Sequence, residues 1–318
     1  MKFLPNFLKI VKIFLMEPKK KKETIIQNIT YMAIMAAINV VFVLLTTFLP
    51  FLFFLIVFVL PLTSTIVTLH CKKRYFPIYA VATIGLCLIC TIWKIDDTIF
   101  YVIPSIVSGF VFGLLIEKKV PSFWIILSTT IIQIGFTYAS IPLIQVITGR
   151  NIITDFATVF GIQDFVYLNY VTPCFIYFIA LAQQILAYVI IREELPKFGY
   201  VLNDPKNIPL SLTISIGASI VLTVAFAFVY GPISYLFTLI GLFLTVYAIS
   251  YLILENNKIV FIILAASLLV TVFAFAALYP LVPVPLGLLF INILFFQVAI
   301  IVLINNYLLR RKDVATIE

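Results

Sequence analysis

Ten long apolar segments constrain the fold of this chain more than any other feature of its sequence. Each is about 20 residues long, which is the length that an α-helix needs to cross a bilayer. They are continuously apolar, whereas the strands of a membrane barrel alternate in polarity. We therefore predict an all-α, polytopic transmembrane helix bundle. The predicted crossings are residues 26–48, 51–70, 76–93, 98–116, 122–146, 166–191, 210–229, 232–254, 259–279 and 285–308.

The positive charges alternate between successive gaps of this pattern. Only Lys94 and Arg150 lie in the gaps on one side of the predicted membrane, and the other 19 of the 21 Lys and Arg residues lie on the opposite side. Because cytoplasmic loops carry the Lys/Arg excess, both termini are predicted to lie inside, at the cytoplasmic membrane. The net charge of +8 is spread over separate inner patches, which favours anionic lipid headgroups and argues against a nucleic-acid partner.

Two longer loops suggest how the chain is organised. Residues 147–165 are predicted to lie outside and to contain a short amphipathic turn around Asp155, whereas residues 192–209 lie inside and carry charges, prolines and a glycine. We predict four regions from these boundaries. They are an interfacial amphipathic helix with a basic anchor (1–25), a six-helix core (26–195), a cytoplasmic linker (196–209) and a four-helix C-terminal bundle (210–318).

The middle of every predicted crossing lacks Asp, Glu, Lys, Arg and His. Proton-coupled carriers generally keep such groups inside the bundle as relays. The chain also lacks a nucleotide-binding P-loop. Intramembrane proteases and zinc enzymes need paired His, Glu or Asp in or near the bilayer, whereas the pair Glu193 and Glu194 lies at a predicted helix end with no histidine partner. The sequence thus argues against an enzyme and against a metal or cofactor, and energy for moving a solute would come from a partner or an ion.

Polar residues that could bind a small solute are concentrated in the predicted outer loops. A solute site needs a few such groups over an apolar cavity. The candidates are Asp96, Asp97, Arg150, Asn151, Asp155, Asp164, Tyr167 and Asn169. Within the crossings, Gln133, Gln183 and Gln184 could either join helices through hydrogen bonds or line a pocket.

Small residues spaced one helical turn apart form two candidate helix contacts. Ala33 and Ala37 lie on one face of the first crossing, and Gly109 and Gly113 lie on one face of the fourth. Such spacing lets another helix approach closely. Internal packing and contact with a partner protein are both open for each pair.

The stretch from Met32 to Thr130 resembles a known pattern: an Ala-rich helix (MAIMAAINVVFVLL), a helix with a central proline and a basic end (FVLPLTSTIVTL), and a glycine-spaced helix closed by a basic turn (PSIVSGFVFGLLIEKKVPS). This resembles the YybS-like family of bacterial membrane proteins, whose function is unassigned. That family in turn resembles the S-components of energy-coupling factor transporters. The resemblance covers about residues 26–195. The turn at 70–75 lacks the glycine usual in S-components, and the last four helices exceed their usual six.

The resemblance implies a six-helix bundle that captures a small solute from outside. It also implies that Ala33 and Ala37 meet a transmembrane coupling subunit and that separate ATPase subunits supply energy. Two alternatives remain open: a self-contained permease of five plus five helices, as in drug/metabolite exporters, and a membrane scaffold that recruits partners without transport. The permease predicts inverted repeats over 26–146 and 166–308.

Overall fold

The computed structural model of the chain describes residues 22–49, 53–159, 161, 168–198, 200, 208–254, 258–278 and 284–315. Every regular element in these ranges is helical, which confirms the predicted all-α class. The longer helices are α1 (Ile25–Phe48), α2 (Phe53–His70), α3 (Phe76–Cys90), α4 (Ile103–Glu117), α5 (Ser122–Thr148), α6 (Ile152–Val159), α7 (Leu168–Glu194), α8 (Ile208–Ala227), α9 (Gly231–Leu254), α10 (Lys258–Leu278) and α11 (Val284–Ala315). Most of the predicted N-terminal amphipathic region, residues 1–21, lies outside the described residues.

Eight helical segments of the described chain are long and apolar enough to cross a membrane. They are Ile25–Phe48, Lys73–Cys90, Thr98–Glu117, Ser122–Thr148, Val171–Lys197, Ile208–Ala227, Gly231–Ile253 and Ile291–Leu308. Two shorter apolar segments, Val59–His70 and Ile262–Ala274, lie within the predicted crossings 51–70 and 259–279. The chain is thus a polytopic helical membrane protein, while the number of ten crossings and the side on which the termini lie stay predictions.

The chain divides into two compact units. Unit 1 comprises Met1–Gln163 and Phe178–Asp204, and unit 2 comprises Asp164–Tyr177 and Pro205–Glu318. Helix α7 therefore contributes its first part to unit 2 and its remainder to unit 1. The main part of unit 2 begins within the predicted linker 196–209.

Unit 1 is built around a close contact between α2 and α4. A Cβ added at Gly109 would lie 2.6 Å from the carbonyl oxygen of Pro61, and one added at Gly113 would lie 2.5 Å from Cβ of Thr68. The Thr65 hydroxyl lies 2.7 Å from the Pro61 carbonyl oxygen and 3.0 Å from that of Gly109. Without side chains at the two glycines, the backbones approach closely, which is how helices associate in lipid. The α2–α4 pair is a tightly packed frame that connects the two ends of unit 1.

A buried polar cluster joins α1, α2 and α3. The Asn39 Nδ2 donates to the Tyr79 hydroxyl at 2.7 Å, and the Thr63 hydroxyl donates to Asn39 Oδ1 at 2.7 Å. All three side chains are buried. Because buried polar groups are costly unless they are paired, these bonds favour one rotation of α1 about its axis.

The start of α1 is tied to the turn between α2 and α3. Thr24 begins α1 with a capping box, in which its hydroxyl accepts from the Gln27 amide at 3.2 Å and the Gln27 side chain accepts from the Thr24 amide at 3.4 Å. The Asn28 Oδ1 accepts from the backbone N–H of Lys72 at 2.8 Å. Cys71 is buried in the same turn, and burial raises the pKa of its thiol to about 12. The thiol is therefore a neutral packing group at physiological pH.

In unit 2, α8 and α9 pack against each other and against α11. A Cβ at Gly241 of α9 would lie 2.7 Å from the Phe295 ring of α11 and 2.9 Å from the Ser219 hydroxyl of α8. The Thr271 hydroxyl donates to Gln297 Oε1 at 2.5 Å and joins α10 to α11. The absence of a side chain at Gly241 thus allows α8, α9 and α11 to meet.

Candidate functional site: a charge cluster at one end of unit 1

Charges of both signs meet at the end of unit 1 that is predicted to lie outside. The Arg150 Nη1 lies 3.3 Å from Asp96 Oδ2, and its Nη2 lies 3.2 Å from Asp155 Oδ2. Arg150 follows α5, Asp155 lies in α6, and Asp96 lies in a single helical turn, Ile95–Asp97, that precedes α4. Segments that are up to 59 positions apart in the sequence therefore meet at one guanidinium group. We call Asp96, Arg150 and Asp155 the Arg150 cluster.

Four of the eight predicted solute-binding residues lie at this cluster, with Asn151 as the fourth. The side chains of Asp97 and Asn169, and the whole of Asp164 and Tyr167, lie outside the described part of the chain. The predicted amphipathic turn in the loop 147–165 is present as α6.

The local sequence explains how α5 leads into α6. Gly149 ends α5 in the left-handed region, at φ 73°, where a glycine meets no steric penalty. The Asn151 side chain then accepts from the backbone N–H groups of Ile153 at 3.1 Å and Thr154 at 3.3 Å. This is the side-chain capping that begins a helix. Asp155 follows in the first turn of α6, where a negative charge is favourable next to the positive end of the helix dipole.

A π-helical turn, Thr98–Val102, connects the Arg150 cluster to α4. In a π-helix, the carbonyl of Ile99 would accept from the residue five positions later, but that residue is Pro104, which has no N–H. The Ser140 hydroxyl of α5 lies 3.2 Å from this carbonyl and 2.7 Å from the Phe136 carbonyl of its own helix, so its one proton is shared between the two. The segment is thus contacted at two levels, by Ser140 within α5 and by Arg150 just after α5. The role of Ser140 was not predicted from the sequence. The signal that the sequence offers for it is Pro104, which lies near the start of the predicted crossing 98–116.

The Arg150 cluster is accessible and weakly held. Its side chains are 65% exposed at Arg150, 50% at Asp155 and 31% at Asp96. Exposed ion pairs contribute only about 0–1 kcal/mol each, so a charged solute can compete with them. A carboxylate or phosphate would pair with the guanidinium, and an ammonium group would pair with either carboxylate. This arrangement suits a small solute that carries groups of both kinds.

Three glutamine side chains meet near the middle of α5 and α7. The Gln133 Nε2 donates to Gln183 Oε1 at 3.2 Å, and the Gln184 Nε2 donates to Gln133 Oε1 at 3.4 Å. Hydrogen bonding between helices, one of their two predicted roles, is therefore present. The Gln184 Oε1 is buried and has no hydrogen-bond partner among the described residues. Because an unpaired buried acceptor costs about 1–3 kcal/mol, this oxygen would favour a water or a solute donor.

The two small-residue patterns have different surroundings. Gly109 and Gly113 are buried against α2, so internal packing accounts for them, and their predicted contact with an external partner has no accessible surface. Ala33 and Ala37 are exposed on α1. Of these two small-residue patterns, the alanine face is therefore the one that is accessible to another protein.

The remaining site chemistry is limited. Among the described residues, no three His, Cys, Asp or Glu side chains are placed to hold a metal ion. Comparison of the chain with protein-family models, with curated proteins and with solved structures finds no match.

Proposed function

We propose that this chain is a membrane subunit that binds a small polar solute at the Arg150 cluster and relies on partner subunits for energy, like the S-components that residues 26–195 resemble. The observation that carries the proposal is the exposed Arg150 guanidinium between two carboxylates from different segments. Lys94 is the only other cation on the predicted outer side, so this is a rare concentration of charge there.

The geometry supports binding of a solute better than catalysis. The cluster offers hydrogen-bond donors and acceptors, and it contains no nucleophile with an activating base. Asp96 lies in the single turn Ile95–Asp97 and Asp155 lies in α6, so two different segments present a carboxylate to the guanidinium. A solute with a carboxylate and an amino group would exchange the internal ion pairs for its own at little cost.

Dependence on partners is supported by what the spans contain. Their central parts hold no Asp, Glu, Lys, Arg or His that could couple transport to a proton gradient. The exposed Ala33 and Ala37 leave a shallow strip on α1 on which another helix can pack closely. The buried hydrogen bonds of Asn39 to Thr63 and Tyr79 favour the rotation of α1 that presents this strip.

Thermal unfolding of the purified protein in mild detergent tests solute binding. The probes are amino acids, nucleosides and water-soluble vitamins, added one at a time. We expect one class to raise the Tm of the wild type, because a ligand that binds only the folded state stabilises it. Arg150→Gln should lose this gain, whereas Lys94→Gln, which removes the other outer cation, should keep it. The proposal fails if no solute raises the Tm, or if both variants respond as the wild type does.

Affinity purification from the native membrane tests the dependence on partners. Ala33→Leu with Ala37→Leu fills the strip on α1 and should abolish recovery of coupling and ATPase subunits. The change keeps the helix apolar, so insertion into the membrane should be unaffected. Ala82→Leu, which enlarges an exposed alanine on α3, is the matched control. Equal recovery of partners with the double variant would contradict the assignment of this face.

A further inference from the structure

The opposite end of unit 1 brings two basic turns together. One turn connects α2 to α3 and carries Lys72, Lys73 and Arg74, and the other connects α4 to α5 and carries Lys118 and Lys119. We call these five residues the inner basic cluster. The Lys73 Nζ lies 2.8 Å from Glu117 Oε2, and Glu117 directly precedes Lys118. One ion pair therefore holds two cationic turns side by side. With five cations and one acid, the cluster and Glu117 carry a net charge of +4.

Lys119 stands where a helix end usually has glycine. It is the only non-glycine residue with positive φ in the described chain, at 54°. Its N–H donates to the Ile116 carbonyl at 3.0 Å, and the Val120 N–H donates to that of Leu115 at 3.1 Å, as in the Schellman ending of a helix. A left-handed conformation is unfavourable for a residue with a side chain, and glycine avoids this cost. Lysine at this position adds a positive charge to the turn in place of the favoured glycine.

Arg74 is positioned before any ligand arrives. Its guanidinium lies 4.7 Å from the centre of the Tyr75 ring, and its Nη2 donates to the Tyr75 hydroxyl at 2.6 Å. A guanidinium has five N–H donors, so several remain for an anion. Because the side chain is already ordered, an anion that binds it loses less conformational freedom on binding.

Apolar surface follows directly along the chain. Helix α3 begins two residues after Arg74, and its first two turns carry Ile78 and Val81, which are 56% and 72% exposed. A ligand that covers both the cations of the inner basic cluster and the exposed Ile78 and Val81 has an anionic head and an apolar tail. A soluble polyanion would use only the charges.

We propose that the inner basic cluster is a binding site for the headgroup of an anionic phospholipid, with an acyl chain along the exposed face of α3. The phosphate pairs with Arg74 and with the lysines of the two turns. The site lies at the opposite end of unit 1 from the Arg150 cluster and is independent of the proposed function.

The only two tryptophans of the chain provide a local measurement. Trp124 lies five residues after Lys119, whereas Trp93 lies at the other end of α3. In a Trp93→Phe background, quenching of Trp124 by brominated phosphatidylglycerol, in competition with phosphatidylcholine, reports association at the cluster. We expect preference for phosphatidylglycerol, and a loss of about fivefold for each lysine removed, hence about twenty-five-fold for Lys118→Gln with Lys119→Gln. Lys94→Gln is the charge-matched control and should change nothing.

Lys119→Gly separates charge from folding. Glycine is the residue that this turn favours, so the Tm in neutral detergent should not fall, while association should weaken about fivefold. The proposal is overturned if Lys119→Gly and the double variant are quenched like the wild type, since the cations would then serve only topology. It is also overturned if glycerol phosphate in solution displaces the lipid equally well, since the ligand would then be a free anion.

Discussion

The two ends of unit 1 use charge in opposite ways. At the Arg150 cluster, one cation lies between two carboxylates, and all three come from different segments. At the inner basic cluster, one carboxylate lies beside five cations. The first arrangement nearly neutralises itself and presents both signs. The second remains strongly positive and presents one sign.

In our proposals, similar ion pairs therefore serve two different kinds of ligand. The pairs of Arg150 are mutual, so a ligand must exchange with them, and this favours a solute with charges of both signs. The pair between Lys73 and Glu117 neutralises one cation of its cluster, and the Lys72 Nζ donates to the Glu23 backbone carbonyl at 2.7 Å. The positive charge that remains favours a purely anionic headgroup. In both places the pairs are partly or largely exposed, so packing of the helices provides most of the stability, and in our proposals the charges provide the selectivity.

The largest effect is expected from a change in the frame that connects the two ends. Gly109→Ala places a Cβ 2.6 Å from the Pro61 carbonyl oxygen, so α2 and α4 must separate. We expect a loss of about 1–3 kcal/mol in the free energy of unfolding. Because α4 connects the π turn to Glu117, both the solute response and the lipid preference should weaken. Unfolding in mixed detergent micelles, followed by circular dichroism, measures the stability.

Gly135→Ala is the matched control for this change. A Cβ at Gly135 has open space, with nothing within 4 Å. Since glycine inside a helix is less favourable than alanine by about 0.5–1 kcal/mol, this variant should be neutral or more stable. Equal destabilisation by both variants would show that the α2–α4 contact is not the frame of unit 1.

The smallest effects are expected from removal of the ion pairs themselves. Double-mutant cycles of Arg150→Gln with Asp155→Asn, and of Lys73→Gln with Glu117→Gln, should each give a coupling of about 0.2–1 kcal/mol in the free energy of unfolding. Both couplings should fall as salt rises, because exposed charges are screened. A coupling above about 2 kcal/mol at either end would mean that the pair holds the fold together, and the contrast between packing and selectivity would fail there.

Sequence periodicity predicted the helices well because hydropathy is a local property. The described helices lie within a few residues of the predicted crossings, and the amphipathic segment in the loop 147–165 is α6. Charge alternation also placed Asp96 and Arg150 on the same predicted side, so their proximity could be expected in outline. The π-helical turn before α4 could not be predicted from the sequence. It depends on the approach of the Ser140 hydroxyl of α5 to the Ile99 carbonyl, for which Pro104 offers no N–H.

Small-residue spacing shows where sequence reasoning ends. The pairs Ala33/Ala37 and Gly109/Gly113 have the same spacing, yet one faces outward and the other is buried. The rotation of each helix decides this, and it depends on partners distant in sequence. For α1 these partners are Thr63 and Tyr79, which pair with Asn39.

The sequence by itself determined that this is a helical, multi-pass membrane protein without Asp, Glu, Lys, Arg or His in the middle of its predicted spans, because burial in lipid is decided residue by residue over a single helix. Only the tertiary structure decided which side chains meet. The meeting of Asp96, Arg150 and Asp155, the pairing of two basic turns through Glu117 and the left-handed Lys119 all follow from how neighbouring helices pack. Packing is a property of several helices at once, and no single segment of the sequence contains it.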